Sequence, residues 1–265
     1  MSRVVAHIAA PVTCAAALCL CAGPQEAALA APVPTPVSSE DRAAASVFSG
    51  LHSRLFGGPF FAVAILSIRR PGVSRNLIVR LYYRDSRRSL LRLDGSPREA
   101  GTIVLKRDSR IYLFFPRADL LLNLPASMGA DRLFGSDFSV DDLLSLGAPS
   151  SRFTVTFAGE ENMDGLACLR FRLVPRASSS PYAEVRLWVA RADHVPVRLE
   201  YVSAGGEVLR EVTVERSGEI PLPARWKART FGPGGGESSL DFRFFERNPP
   251  VGDDLFTVER IRQWR

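Results

Sequence analysis

The chain has 265 residues and a formal net charge of +6, because 34 lysines and arginines outnumber 28 aspartates and glutamates. Almost all of the positive charge is arginine, and arginines such as Arg80, Arg84, Arg170 and Arg172 alternate with apolar residues in strand-like runs. A nucleic-acid-binding protein clusters its basic residues on one surface, so nucleic acid is not an expected partner. The alternation indicates a solvated outer face of a sheet, and loose attraction to anionic lipid headgroups is the alternative.

The start of the chain has the composition of a secretory signal peptide. Arg3 supplies the positive charge, residues 12–22 are mostly apolar, and Ala28 and Ala30 are small residues of the kind that a signal peptidase recognises. The apolar run is shorter than the roughly 20 residues of a membrane-spanning helix. We therefore expect a signal peptide over residues 1–30, with cleavage after Ala30.

Cysteine usage agrees with export. Cys14, Cys19 and Cys21 lie within the predicted signal peptide, which leaves Cys168 alone in the mature chain, so no internal disulfide is expected. Lipid attachment at Cys19 or Cys21 is less favoured than soluble export, because leucine precedes each of them where a small residue is expected. Cys168 lies in a strand-like run and is expected to be a packed core thiol. A mature chain of about 235 residues can form a sizeable core without disulfides.

The mature chain divides into a short tether and a single predicted domain. Residues 31–37 are rich in proline and have little to pack, whereas residues 38–265 are expected to form one domain. A helix follows the tether, with Ser38 or Ser39 as its cap and Gly57 near its end. Its apolar residues recur at helical spacing: Val47, Phe48, Leu51 and Leu55.

From Phe60 onward the dominant hydrophobic period is two residues, which predicts β-strands. Turn-forming pairs such as Asp164–Gly165 separate these runs so closely that consecutive strands must be antiparallel neighbours. About ten strands are predicted in this way. The expected fold is mainly β (α+β), with one large curved antiparallel sheet that forms an open half-barrel, because twist accumulates across a wide sheet. The N-terminal helix and a central helical lid would cover its concave face.

The central lid is predicted from a short turn-rich segment that interrupts the strands. Gly135, Ser136 and Asp137 favour a turn, and Ser139 can cap a short following helix together with Asp142. Large apolar residues accompany these small ones, and loops seldom carry such residues without something to cover. The predicted lid residues are Leu133, Phe134, Gly135, Ser136, Asp137, Phe138 and Leu143.

The predicted concave face is rich in apolar side chains, and one helix and a short lid are small elements to cover all of them. The residues expected to face this side are Phe61, Val63, Leu81, Leu91, Leu93, Leu113, Phe115, Leu122 and Leu124. They would line either a lipid-binding cavity or a filled core, and periodicity does not distinguish the two.

Few residues suit catalysis. His52 and His194 are the histidines outside the predicted signal peptide, and His194 lies in a turn, where a hydrogen-bonding role is the ordinary one. The sequence has no G-x-S-x-G, no H-E-x-x-H and no Cys-His cluster at metal-ligand spacing. The glycine-rich run 232–236 lacks the Lys-Ser or Lys-Thr pair of a phosphate loop and is expected to join two strands. No catalytic residue, metal or cofactor is therefore predicted.

A series of short motifs runs through most of the chain: Leu90–Leu93 before Ser96 and Pro97, Gly101–Leu105, Gly135–Leu143, Tyr182–Val189, Gly205–Leu209, Pro223–Trp226, Asn248 and Asp254–Thr257. In order and spacing these motifs resemble the outer-membrane lipoprotein-sorting protein family, a LolA-like superfamily of periplasmic lipoprotein carriers. The resemblance extends from Phe60 to Phe256. It implies an open half-barrel closed by helices, whose apolar interior takes up acyl chains when the lid moves aside.

The resemblance implies a periplasmic carrier that binds acyl chains of lipoproteins or lipids in an apolar cavity, for outer-membrane lipoprotein sorting. The expected partners are these acyl chains, to which an inner-membrane transporter and an outer-membrane acceptor could be added, and the protein is expected to be a monomer. A lipid- or envelope-stress-sensing module that regulates a membrane partner is the first alternative. A lipid hydrolase, with a site assembled from distant strands, is the second.

Overall fold

The computed structural model describes Ser46 and residues 58–85, 87–95, 97, 99–125, 128–129, 132–144, 153–176, 180–215 and 224–264. Within these ranges the strands are β1 (Phe60–Arg70), β2 (Val73–Asp85), β3 (Arg88–Asp94), β4 (Ile103–Arg107), β5 (Arg110–Phe115), β6 (Leu120–Pro125), β7 (Phe153–Met163), β8 (Leu166–Pro175), β9 (Glu184–Ala190), β10 (Pro196–Val202), β11 (Val208–Glu215), β12 (Arg225–Thr230) and β13 (Gly236–Arg247). The helices are α1 (Val140–Leu144) and α2 (Val258–Gln263). A 3-10 turn precedes each helix, at Leu133–Gly135 and at Asp253–Phe256.

The signal peptide, the tether and the N-terminal helix lie outside the described residues. Ser46 is the exception, and it is helical and exposed. These three assignments, and the domain boundary after residue 37, stay predictions.

The described strands form one antiparallel sheet in the order β6-β5-β4-β3-β2-β1-β13-β12-β11-β10-β9-β8-β7. Strands that follow each other in the chain are neighbours in the sheet within two meanders, β1–β6 and β7–β13. The pairing of β1 with β13 joins these meanders, with Leu66 opposite Leu240. Strands β6 and β7 are the two edges, so the sheet is not closed into a barrel.

Thirteen described strands exceed the ten or so that the sequence predicted, and β4 shows why some were missed. Its residues Ile103, Val104 and Leu105 are at most 1 % exposed, so apolar side chains point to both faces of the sheet. A strand covered on both faces loses the alternation of apolar and polar residues that identifies strands in a sequence.

Two turns between strands have the form that the sequence predicted. Asp164 and Gly165 alone separate β7 from β8, with φ of 52° and 85°. Positive φ at both central residues is the type I′ geometry, whose twist matches that of the flanking strands. The glycine-rich run 232–236 connects β12 to β13, with the Gly235 amide donating to the Gly232 carbonyl at 3.0 Å.

The two faces of the sheet differ. We call the face that carries Leu66 the inner face and the opposite face the outer face. The main core lies on the inner face, where side chains from β1–β5 and β11–β13 pack together with the residues around α1. A second cluster on β8 and β9 continues this face, and Leu199 and Tyr201 of β10 pack against both clusters.

The outer face of β3–β5 is covered by the C-terminal residues. Leu255, Phe256 and Ile261 pack against apolar side chains of the sheet, which are Leu90, Ile103, Leu105 and Phe114. Thr257 caps α2, because its Oγ1 accepts a hydrogen bond from the Arg260 amide at 3.2 Å. We call residues 253–264 the outer cover.

The outer face also carries ion pairs, one of which, Arg84–Asp253, is made with the outer cover. The four alternating arginines of the sequence lie there, and each has a carboxylate partner: Arg80–Asp94 at 2.9 Å, Arg84–Asp253 at 3.1 Å, Arg170–Glu161 at 3.5 Å and Arg172–Glu184 at 2.5 Å. The positive charge of these strands is therefore balanced locally, as expected for a solvated face.

Candidate functional site

The inner face holds most of the residues predicted to line a cavity. Leu81, Leu91 and Leu93 are at most 2 % exposed and belong to the main core, and Leu113 and Leu124 are partly buried against it. Phe115 and Leu122 share their side of the sheet, because Phe115 pairs with Leu120 and Leu113 pairs with Leu122.

Phe61 and Val63 lie on the outer face, so their assignment to the same side as Leu81 was wrong. In β1 the inner-face residues are the even-numbered ones, since Ala62 is opposite Leu81 and Ala64 is opposite Val79. Residues 60–66 are all apolar, so the sequence pattern alone does not reveal whether the even-numbered or the odd-numbered residues face the core. The Phe61 ring instead contacts Tyr82 and Phe244 in tilted geometry, with ring centroids 4.6 and 5.9 Å away.

A continuous row of aliphatic side chains crosses the inner face from the core to the β6 edge. Cross-strand pairing places these residues in line: Leu81, Leu91, Val104, Leu113 and Leu122. The row spans five strands, or about 19 Å at the usual strand separation. Its first three members are buried, whereas Leu122 is 37 % exposed and its neighbour Leu120 is 45 % exposed. We call these five residues the apolar row.

Residues 132–144 cover the inner face, and we call them the inner cover. The predicted cap of its helix is confirmed: Ser139 Oγ accepts from the Asp142 amide at 3.1 Å, and Asp142 Oδ2 accepts from the Ser139 amide at 2.7 Å. This reciprocal pair is a capping box. Of the predicted lid residues, Leu133 is 4 % exposed, and Phe138 and Leu143 are fully buried. Phe134 packs against the main core, with φ of 49°, and Gly135 follows with φ of 73°.

Two residues of the predicted turn in the inner cover are buried. Ser136 and Asp137 are 0 % exposed. The Asp137 carboxylate accepts from Arg70 at 2.5 Å and from Ser238 Oγ at 2.8 Å, and the Asp137 amide donates to Ser238 Oγ at 2.9 Å. Ser136 Oγ donates to the Leu133 carbonyl at 2.7 Å. The buried side chains of Ser136 and Asp137 are thereby satisfied inside the core.

Asp142 forms a second buried anchor, with β10 and β11. Arg210 donates to Asp142 Oδ2 at 2.6 Å and to the Asp137 carbonyl at 3.2 Å, and Tyr201 donates to Asp142 Oδ1 at 2.7 Å. The Arg210 guanidinium also lies 3.8 Å from the Tyr201 ring centre. Burial raises the pKa of Tyr201 well above its usual value, and the Asp142 charge adds to this. Burial alone would lower the pKa of Arg210, but Asp142, Tyr201 and Tyr182 together outweigh it and the pKa is raised.

The inner cover also shows that the sheet is curved. Asp142 contacts β10 and β11, whereas the carbonyl of Leu144, two residues on, accepts from Ser89 Oγ of β3 at 2.8 Å. Four strands separate β3 from β11 in the sheet order. A helix of five residues is only about 7.5 Å long, so the two halves of the sheet must curl toward each other.

A family model described as "Uncharacterized protein" matches residues 85–263, which is more than half of the chain. The chain belongs to this family. No curated protein matches the sequence.

Solved structures share the fold. A candidate outer membrane lipoprotein-sorting protein domain from Vibrio parahaemolyticus is 14 % identical, with a TM-score of 0.73 over 84 % of this chain and 99 % of that one. A DUF1329 family protein from Desulfovibrio piger is 17 % identical, with a TM-score of 0.73 over 84 % of this chain and 100 % of that one. A LolA superfamily protein from Nitrosomonas europaea is 18 % identical, with a TM-score of 0.70 over 82 % of this chain and 98 % of that one. The predicted LolA-like resemblance is confirmed, and the fold is LolA-like.

Sequence reasoning missed the polar partners of the inner cover, which include Arg70, Arg75, Ser89, Tyr201, Arg210 and Ser238. The sequence contained a signal for two of these partners, Arg210 and Arg70. Arg210 precedes Val212 and Val214 on one face of β11, and Arg70 follows Leu66 and Ile68 on one face of β1. A charged residue in an apolar alternation indicates a buried partner, since an unpaired charge in such a position is costly.

The rest of the described chain offers few groups for metal binding or catalysis. No group of His, Cys, Asp or Glu among the described residues could hold a metal ion, and no described helix is long and apolar enough to cross a bilayer. Cys168 is buried, as predicted, with its thiol 3.4 Å from the Leu166 carbonyl. His194 has φ of 59° and its amide donates to the Ala190 carbonyl at 2.8 Å, which fits the predicted turn role. His52 lies outside the described residues.

Proposed function

We propose that this protein is a periplasmic carrier that binds acyl chains of lipoproteins or lipids against the inner face of its sheet. The observation that carries the proposal is the apolar row, which leads from the buried core to exposed leucines at the β6 edge. The LolA-like fold supports it, since one structure of this fold is described as a lipoprotein-sorting domain.

Burial against the apolar row would supply the binding energy. Each methylene group removed from water contributes about 0.8 kcal/mol, so one long acyl chain can bind well even after ordering costs. The exposed end, Leu120 and Leu122, is where a chain would first contact the protein. The inner cover would then have to give way so that the chain reaches Leu91 and Leu81.

The inner cover is suited to such a release because polar groups hold it. Asp137 and Asp142 are paired with Arg70 and Arg210 inside the core. The attraction within a buried ion pair is largely offset by the cost of removing both charges from water. The pairs therefore define one position of the cover while adding little net stability. A ligand that displaces the cover has mainly to replace the apolar contacts of Leu133, Phe138 and Leu143 with its own.

Binding of a fluorescent fatty acid to delipidated protein tests the proposal. Leu122→Arg should lower the affinity at least tenfold, because a charge would lose water in the path of the chain. Ile78→Arg is the matched control, since Ile78 is 39 % exposed but lies on the outer face, opposite Ile65. Equal affinities for the two variants would contradict the placement of the site.

Purification from the periplasm separates the carrier from the two alternatives. Co-purifying lipoprotein, identified by mass spectrometry, supports the carrier. Free lipid without lipoprotein indicates a sensor or another lipid-binding module, and turnover of an ester substrate indicates a hydrolase.

A further inference from the structure

Strand β12 places an unpaired hydrogen-bond donor in the inner-face core. Trp226 is 7 % exposed, and its indole Nε1–H makes no hydrogen bond to any described residue. A buried tryptophan N–H normally has an acceptor, because the group has given up water and gains nothing in return without one. The part of the chain that the structure describes does not supply that acceptor.

Trp188 shows what the usual arrangement is in this protein. It is 6 % exposed, which is almost the same burial, but it lies on the outer face and donates to Glu161 Oε2 at 2.9 Å. The two tryptophans thus differ in partner and not in burial. This difference singles out the inner-face indole as a donor available to a ligand.

The surroundings of Trp226 select a neutral acceptor. Its cross-strand neighbours are Val214 and Leu240, and its ring meets Phe242 edge-on with centroids 6.3 Å apart. The cations beside it in sequence lie on the outer face, where Arg225 pairs with Asp241 and Lys227 pairs with Glu215. A carboxylate or phosphate would lose its hydration here without a counter-charge, whereas a carbonyl oxygen loses much less.

Small side chains lie along the same face. Ala228 follows Trp226 on β12, and Ala62 and Ala64 lie on β1 beyond the intervening β13. All three are at most 2 % exposed and belong to the same core as the apolar row. The indole and the apolar row therefore belong to one continuous apolar surface.

We propose that Trp226 is a ligand-binding residue, which donates its indole N–H to the neutral ester or amide carbonyl at the head of an acyl chain bound on the inner face. The inference rests on the proposed carrier function and adds the chemical class of the ligand. It predicts a preference for acylated molecules over hydrocarbon chains that lack the carbonyl.

Two probes and two variants test this inference. The probes carry the same fluorophore and the same chain, attached through an ester in one and through an ether in the other. Trp226→Phe keeps an aromatic ring and removes the N–H, so ester affinity should fall about tenfold, which corresponds to about 1.4 kcal/mol, and ether affinity should stay unchanged. Trp188→Phe removes an outer-face indole N–H and should change neither affinity.

A measurement on the wild-type protein complements the variants. In ¹⁵N-labelled protein the Trp226 indole resonance should shift on saturation with the ester probe and not with the ether probe. An unchanged resonance with bound ester would overturn the inference, whether or not Trp226→Phe folds.

Equal weakening of both probes by Trp226→Phe would also overturn the inference, since the ring alone would then matter. If the wild type binds neither probe, the carrier proposal itself fails; if it binds both equally and Trp226→Phe changes nothing, only the role of Trp226 fails.

Discussion

The two covers of the sheet are similar in size but are attached by different interactions. The inner cover contains α1, capped by Ser139, and the outer cover contains α2, capped by Thr257. The outer cover is attached mainly by apolar packing of Leu255, Phe256 and Ile261. The inner cover adds to its apolar contacts two buried carboxylates, each paired with an arginine of the sheet.

This difference separates the interactions that fix the position of a cover from those that determine how strongly it is held. Apolar burial is non-directional and strong in sum, so the outer cover is expected to stay in place. Buried ion pairs are directional, and their net contribution is small because desolvation opposes it. The ion pairs therefore fix the position of the inner cover, while its stability comes mainly from apolar contacts such as those of Phe138 and Leu143.

Removal of a large side chain from the outer cover should have the largest effect on stability. Phe256 is 2 % exposed, and Phe256→Ala should lower the free energy of unfolding by about 3–5 kcal/mol, measured by urea denaturation. The rate of fatty-acid association should not change. Phe231→Ala is the control, since Phe231 is exposed and should cost less than about 0.5 kcal/mol. Faster association in Phe256→Ala would show that the outer cover also gates the sheet.

Loss of one arginine should affect both stability and binding through the inner cover. Arg210→Met leaves Asp142 buried without its cation and should cost about 3 kcal/mol. It should also accelerate probe association in stopped-flow measurements, because the closed state loses an anchor. The double variant Arg210→Met with Asp142→Asn should recover part of the stability, since no unpaired charge then remains. Additive losses in the double variant would argue against a coupled pair.

Alkaline pH should weaken the same anchor. The Tyr201 hydroxyl has a raised pKa in the folded protein, while the unfolded chain ionises tyrosine near pH 10. Above about pH 10 the folded state therefore binds more protons, and stability falls by up to about 1.4 kcal/mol per pH unit for this group. Tyr201→Phe should reduce the steepness of this fall. Urea denaturation of both proteins at pH 8 and pH 10.5 measures the fall in stability. An equal fall in wild type and Tyr201→Phe would exclude Tyr201 as its source.

The two helix caps offer the smallest and best-matched comparison. Ser139→Ala and Thr257→Ala should each cost about 1 kcal/mol, because each leaves a helix amide without its acceptor. Only Ser139→Ala should accelerate probe association, since α1 lies on the inner face. Equal acceleration in both variants would remove the distinction between the covers.

The sequence predicted the sheet well because alternation and turn residues are local signals. The capping box at Ser139 and Asp142 and the hairpin at Asp164–Gly165 were predicted for the same reason. The face of β1 was misassigned because both of its faces are apolar, and only the pairing with β2 and β13 separates Phe60 from Phe61.

The anchors of the inner cover required the folded chain. Asp137 meets Ser238 and Arg70, which are far from it in sequence and which curvature brings together. The composition of residues 135–139 predicted a turn, since Gly, Ser and Asp are typical of turns. The burial of that turn depends on Arg70 and Ser238, which satisfy the Asp137 carboxylate inside the core.

The pairing of β1 with β13 has a consequence for how the protein acquires its structure. Strands β1 and β13, the first and last described strands in chain order, lie side by side at the centre of the sheet. Pairings between segments so distant in sequence form slowly, because loop closure must precede the contact. The β1–β6 meander can assemble early, whereas its junction with the second meander waits until β13 is available. Until then β1 is an edge strand without its partner, and an unpaired strand edge of this kind is prone to aggregation.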